Sequence, residues 1–239
     1  VVLLVDVGEK PGQPLNRDLS NFNLTLALGA WKPAHFLMPG CATMGQLRLV
    51  DIGIAHQPAA ANLIAQPSFH APGAEAHKYT RGLLGVVVGA MPGAALLAAR
   101  AAQGAGAGYV KLLAADPLAG PADLVVDRTP LAEALSDGRL AALLVGPVLG
   151  RGGEARERLA IALSEPIPAV LDADALVLLG PRLLAERSAA LIATPHEGEL
   201  LALERAFALD GIGSKADRAA TLARASGMVI VAKGADTVV

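Results

Sequence analysis

Aromatic residues make up only 3% of this 239-residue chain, which holds one Trp, two Tyr and four Phe. So small a supply leaves little on which nucleobases can stack. An excess of one charge is missing too. Twenty Lys and Arg stand against 22 Asp and Glu, and no basic block forms a track for a phosphate backbone. No nucleic-acid partner is expected. The single cysteine, Cys41, cannot close an internal disulfide, which suits a reducing, cytoplasmic setting. No apolar run reaches the roughly 18–20 residues that cross a bilayer. The opening VVLLV meets Asp6 at once and reads as a buried strand, so no signal peptide and no membrane partner are expected. An initiator Met is absent, and MVIVAKGADTVV reads as strand, turn and the start of a return strand. Both ends are therefore expected to be cut from a longer polypeptide.

The chain is rich in small and aliphatic residues: 53% is hydrophobic, with Ala, Leu, Val and Gly dominant. That composition suits α/β layers in which helices lie close on a sheet. Residues 1–54 hold three short apolar runs, VVLLVDV, LTLALGA and LRLVDIGI, which read as strands without the helices that would normally cover them. Residues 55–76 show no period and carry three prolines, which predicts a linker. From His77 onward, apolar runs alternate with helical stretches. GLLGVVVGA, YVKLLAA, AALLVGP, PAVLDAD, ALIATPH and VIVAKG read as strands, and AALLAARAAQGAGA and SKADRAATLARAS as helices, the second opened by Ser214 as N-cap. The expected fold is a mainly parallel sheet covered by helices on both faces, with ligands beyond the carboxyl ends of its strands.

Five segments fall at those strand ends. GAMPGAA, from Gly89 to Ala95, joins a strand to a helix and lets backbone approach an anion; it also fits an ordinary tight turn. VGPVLGRG, from Val145 to Gly152, has Gly146 and Gly150 freeing backbone N–H groups around Pro147. LDADAL offers Asp172 and Asp174 for Mg2+ or acid–base work, or as helix caps; the structural role is favoured. ATPHEGE places His196 at a helix start among acids. AKGADT reads as a hairpin in which Lys233 and the backbone can embrace an adenylate, or as a plain turn with a solvated lysine.

In their order, HKYTRG, GAMPGAA, GAGAGYVKLL, GPVLGRG, LDADAL, TPHEGE and KGADTVV resemble the ADP/ATP-dependent NAD(P)H-hydrate dehydratases, across about residues 77–239. Upstream, LTLALGAWKPAHFLMPG and LRLVDIGI resemble the end of an NAD(P)H-hydrate epimerase domain. The resemblance implies a ribokinase-like α/β fold preceded by a remnant of a Rossmann-like domain. It also implies a bifunctional repair enzyme: an epimerase interconverting R and S hydrates, and a dehydratase that uses ADP with Mg2+ to return the S hydrate to NAD(P)H, releasing AMP and phosphate. K+ would serve the epimerase, and a homo-oligomer is the expected assembly. Carried over by position, Ala94, Gly146, Val148, Gly150 and His196 match contacts to the hydrated dinucleotide. Lys233, Gly234, Ala235, Asp236 and Thr237 match the stretch that holds the adenine nucleotide.

Two departures stand out. Val148 replaces the middle glycine of the usual GPGLG, and the GTGD motif carrying the family's base does not occur, so no catalytic residue is assigned. Asp6 matches an acidic strand end of the epimerase, but GEKPGQP follows it instead of a Pro-Ser-Gly turn, and no epimerase residue is assigned. The rivals are a vitamin-precursor kinase on the same fold, against which TPHEGE after LDADAL argues, and a non-catalytic nucleotide-binding protein.

Overall fold

The computed structural model describes residues 3–6 (by backbone alone), 21–55, 61–118, 120–147 and 149–239. The chain divides into two units, residues 1–70 and 71–239, parting inside the proline-bearing stretch. In the first unit, strands β1 (Leu3–Asp6), β2 (Leu24–Leu28) and β3 (Gln46–Val50) form a parallel sheet in the order β1-β2-β3. These are the three apolar runs of the sequence. Two 3-10 turns, Pro33–His35 and Gly40–Thr43, lie in the connection from β2 to β3. Thr25 is buried in β2 because its hydroxyl donates to the Met44 carbonyl at 2.6 Å.

The second unit is a seven-stranded, wholly parallel sheet. Its strands are β4 (Leu83–Val87), β5 (Tyr109–Leu113), β6 (Val125–Asp127), β7 (Leu140–Val145), β8 (Ala169–Leu171), β9 (Leu191–Ala193) and β10 (Val229–Ile230). They are joined by helices α1 (Pro92–Gly104), α2 (Leu131–Ala134), α3 (Gly153–Ser164), α4 (Asp174–Leu178), α5 (Glu197–Ala206) and α6 (Lys215–Ser226). Alternation of side chains along each strand separates two cores. On one face Val86, Val110 and Leu112 meet Ala95 and Ala99 of α1; these alanines, four residues apart, form the small stripe that lets the helix lie close. On the other face Leu143, Val145, Leu171 and Ala193 meet Leu159, Leu176, Leu200 and Leu222 from α3 to α6.

Strand β6 was not expected from the sequence, since LVVD is too short to show a period. It is held by Lys111 of β5, whose ammonium reaches Asp127 at 3.3 Å and Asp137 at 3.2 Å. Helix α6 starts as the sequence predicts. The Ser214 hydroxyl accepts from the Asp217 N–H, and Asp217 accepts from the Ser214 N–H at 3.1 Å.

The sheet order is β10-β9-β8-β7-β4-β5-β6. The chain builds outward from β4 through β5 to β6, then returns to β7 and builds the other way, so its direction reverses between β4 and β7. In open parallel sheets, the crevice outside the carboxyl ends at such a reversal is where ligands bind.

Candidate functional site

Register decides which residues meet at that edge. Val145 pairs with Leu171, Leu171 with Ala193, and Ala193 with Ile230. The next residues, Gly146, Asp172 and Thr194, therefore stand side by side at the carboxyl ends of three neighbouring strands. Gly146 has φ +122°, and a Cβ there would lie 1.8 Å from the Asp172 carbonyl oxygen. Both backbone and space demand glycine, so the turn after β7 presses directly on the LDAD turn. Ala94 sits half-buried in the first turn of α1, across the β4–β7 reversal from Gly146. Val148 lies outside the described residues.

The two aspartates of LDAD face opposite neighbours. Between them Ala173 takes φ +52°, an unusual conformation for a residue with a side chain. Asp174 turns toward β7, accepting from the Gly150 N–H at 3.0 Å and from Arg151 Nε at 2.7 Å. It thereby holds the glycine turn in place. Asp172 turns the other way: its Oδ1 accepts from Thr194 Oγ1 at 2.9 Å and from Lys233 Nζ at 2.6 Å. Burial works against its charge, but the Lys233 ammonium and the Thr194 hydroxyl hold its carboxyl below the ordinary range. Both aspartates thus tie loops together, the structural role favoured from the sequence.

His196 is the N-cap of α5. Its Nδ1 accepts from the N–H groups of Gly198 at 3.0 Å and Glu199 at 3.3 Å, so the ring proton sits on Nε2, 3.3 Å from Glu199 Oε1. Glu199 closes the capping box by accepting from the His196 N–H at 2.8 Å. The ring remains 61% exposed, so a face stays open beside the strand ends while the nitrogens are engaged.

The last candidate segment forms the turn expected of it. Ala232 and Val238 pair as an antiparallel bridge, and the Lys233 N–H donates to the Pro195 carbonyl at 2.7 Å, which ties the turn to the TPH segment. Gly234 and Thr237 close the turn, the Thr237 hydroxyl donating to the Gly234 carbonyl at 3.1 Å. Gly234, Ala235 and Thr237 are exposed, whereas the Asp236 carboxylate is buried and bonded to the Lys215 ammonium at the start of α6. What this turn offers a ligand is backbone, the Thr237 hydroxyl and Lys233. Lys215 and Thr194 were missed from the sequence. Thr194 lay inside a motif without a readable role, and Lys215 opens a polar helix and belongs to no motif.

Among the described residues no group of three or more His, Cys, Asp or Glu side chains is placed to hold a metal, and no helix is long and apolar enough to cross a membrane. The arrangement offers a ligand the backbone of these turns.

The parallel, helix-covered sheet that reverses between β4 and β7 is of the α/β class, and a ribokinase-like superfamily protein of Enterococcus faecalis shares this fold, with a TM-score of 0.55 and 17% identity over 69% of this chain and 61% of that one. A profile described as NAD(P)H-hydrate dehydratase matches residues 84–239. The chain belongs to that family. It is 35% identical over 229 residues to the bifunctional NAD(P)H-hydrate repair enzyme of Mycobacterium tuberculosis, covering 90% of this chain and 46% of that one. It is 32% identical to the ADP-dependent (S)-NAD(P)H-hydrate dehydratase of Xanthomonas campestris, covering 75% of this chain and 67% of the relative. A crystal structure of the Bacillus subtilis ADP/ATP-dependent NAD(P)H-hydrate dehydratase, grown with ATP and Mg2+, superposes with a TM-score of 0.55. It has 26% identity over 70% of this chain and 63% of that one. The chain spans about half the length of the curated relatives it matches first.

Proposed function

We propose that this chain carries most of the ADP-dependent site that returns (S)-NAD(P)H hydrate to NAD(P)H, with residues 77–239 as the dehydratase part, 55–76 as linker and 1–54 as the end of an epimerase-like part. The observation that carries the reading is the row of aligned strand ends. Two glycine turns flank the chain reversal, and a backbone turn with a lysine lies three strands away. That spacing suits two ligands side by side, a dinucleotide and an adenine nucleotide.

In this reading the hydrated dinucleotide lies across Ala94, Gly146 and Gly150, with the exposed face of His196 beside it. The adenine nucleotide rests on Lys233, Gly234, Ala235 and Thr237. Asp236 contributes by fixing the turn through Lys215. The chemistry needs a better leaving group than hydroxide. Transfer of the terminal phosphoryl group of ADP to the C6 hydroxyl supplies one, leaving AMP. The ring nitrogen's lone pair then expels phosphate from C6, and loss of a proton from C5 restores the dihydronicotinamide ring. The chain's residues act by alignment and by holding charge. Lys233 stabilises phosphate, and the N–H groups of the glycine turns do the same for the dinucleotide. Mg2+ fits this site as a companion of the nucleotide phosphates, since it keeps several waters and needs few protein ligands. K+ belongs with the epimerase-like part. A homo-oligomer in the cytoplasm completes the reading, resting on the family resemblance, and sedimentation velocity checks the assembly.

The GTGD aspartate of the family does not occur in these 239 residues, so the test uses the protein expressed from the complete gene. With (S)-NADHX, ADP and Mg2+, absorbance at 340 nm returns as NADH forms, and omission of nucleotide abolishes the return. No recovery from folded protein that contains the aspartate overturns the reading. Phosphorylation of a vitamin precursor by the same sample would establish the kinase instead.

A further inference from the structure

The half-buried cations of the second unit follow a rule with two exceptions. Lys111, Lys215 and Arg218 each contact a carboxylate. Arg187 does not, but its guanidinium donates to the carbonyls of Leu163, Glu165 and Ile167 at the carboxyl end of α3, where a helix welcomes positive charge. Arg158 has neither kind of compensation. It lies on α3, one turn after Glu154, yet no carboxylate of the described residues comes within ion-pair distance of it. Its Nη2 donates to the carbonyls of Val88 at 2.8 Å and Leu113 at 3.3 Å, and its Nε is buried with no hydrogen-bond partner.

Those two carbonyls give the location. Val88 directly follows β4, and Leu113 ends β5. From its helix after β7, Arg158 therefore reaches over the point where the chain reverses, onto the carboxyl edge of the sheet. Its guanidinium lies at the carboxyl ends of β4 and β5, at the foot of the turn that begins with Gly89, one residue after Val88. A partly desolvated guanidinium whose hydrogen bonds end on neutral carbonyls meets no carboxylate of the described residues at this edge. Neither glycine turn carries a carboxylate in its own sequence, and Asp174, which bonds to the second turn, is engaged by Gly150 and Arg151.

We infer that Arg158 supplies the positive charge for a phosphate-bearing ligand at the β4–β7 reversal, namely the pyrophosphate of the dinucleotide, and is a binding residue of the dinucleotide side only. The inference rests on the functional reading above for the ligand's identity, but its chemistry is that of an anion beside a guanidinium. The nucleotide turn at 233–237 has its own lysine and lies at the far side of β8 and β9, so Arg158 leaves it unaffected.

The test is direct binding by calorimetry to the 239-residue chain, which needs no turnover. The ligands are (S)-NADPHX, inorganic pyrophosphate and ADP, and the proteins are wild type, Arg158→Gln and Arg158→Lys. The expected result is a loss of about ten- to hundredfold in dinucleotide and pyrophosphate affinity for Arg158→Gln, with ADP affinity unchanged. Arg158→Lys should recover a large part, and dinucleotide affinity should fall with added salt in wild type but much less in Arg158→Gln. Unchanged dinucleotide affinity in Arg158→Gln overturns the inference. So does an equal loss for all three ligands, which marks Arg158 as a strand tie alone, and so does wild-type binding of neither dinucleotide nor pyrophosphate. Pyrophosphate binding that depends on Arg158, without dinucleotide binding, keeps the anion site and removes the dehydratase reading.

Discussion

Removing Arg218 from the α5–α6 contact should be among the costliest single substitutions in the second unit. Glu204 on α5 has a side chain only 4% exposed, and both of its oxygens accept from Arg218, Nε at 2.8 Å and Nη2 at 2.8 Å. This is the bidentate fork that suits arginine and not lysine. The remaining nitrogen, Nη1, donates to Glu197, which is 53% exposed. Arg218→Met strands a buried carboxylate, at a cost of about 3–5 kcal/mol. Glu197→Gln removes only a surface contact and should cost under about 1 kcal/mol. The double variant Glu204→Leu/Arg218→Met should recover most of the loss, because removing both charges also removes their desolvation. The assay is urea unfolding followed by circular dichroism at 222 nm. The only tryptophan, Trp31, lies in the other unit, so its fluorescence cannot report this loss. A loss below about 1 kcal/mol for Arg218→Met, or an equal loss for Glu197→Gln, would refute the reasoning.

Gly146→Ala forces a side chain onto φ +122° and into the Asp172 carbonyl, so soluble yield and dinucleotide affinity should both collapse; wild-type affinity from the alanine variant contradicts the turn's role. Asp172→Asn frees Lys233 and should change ADP affinity several-fold while dinucleotide affinity holds, read by calorimetry. Asp172, Asp127 and Asp217 all have carboxyls below their ordinary range. Their stabilisation is present above the unfolded value near 3.9 and is lost as pH falls through the lower folded values, so acid unfolding should steepen below about pH 4. Asp172→Asn should flatten that limb in part. Ser214→Ala removes the α6 cap and should cost about 1 kcal/mol in urea unfolding, with no effect on ligand affinity if the cap is only structural.

The sequence by itself determined the strands and helices that carry strong periods. The run LLGVVV could only be a strand buried on both faces, and SKAD could only open a helix, because local sterics and hydrogen bonding settle such choices within a few residues. The order of the glycine turns, LDADAL and TPHEGE also carried the family, which the family match bears out. Strand β6 escaped because three residues show no period, and the lysine that holds it lies on a different strand. The tertiary structure alone decided which chemistry-bearing residues meet. Ala173 sends Asp172 and Asp174 to opposite neighbours, Lys233 crosses 61 residues of sequence to reach Asp172, and Arg158 crosses 70 to reach Val88. Those pairings follow from the strand order and register of the sheet. Each such contact spans a separation along the chain that no local pattern encodes, so parallel pairing of distant strands brings these groups together.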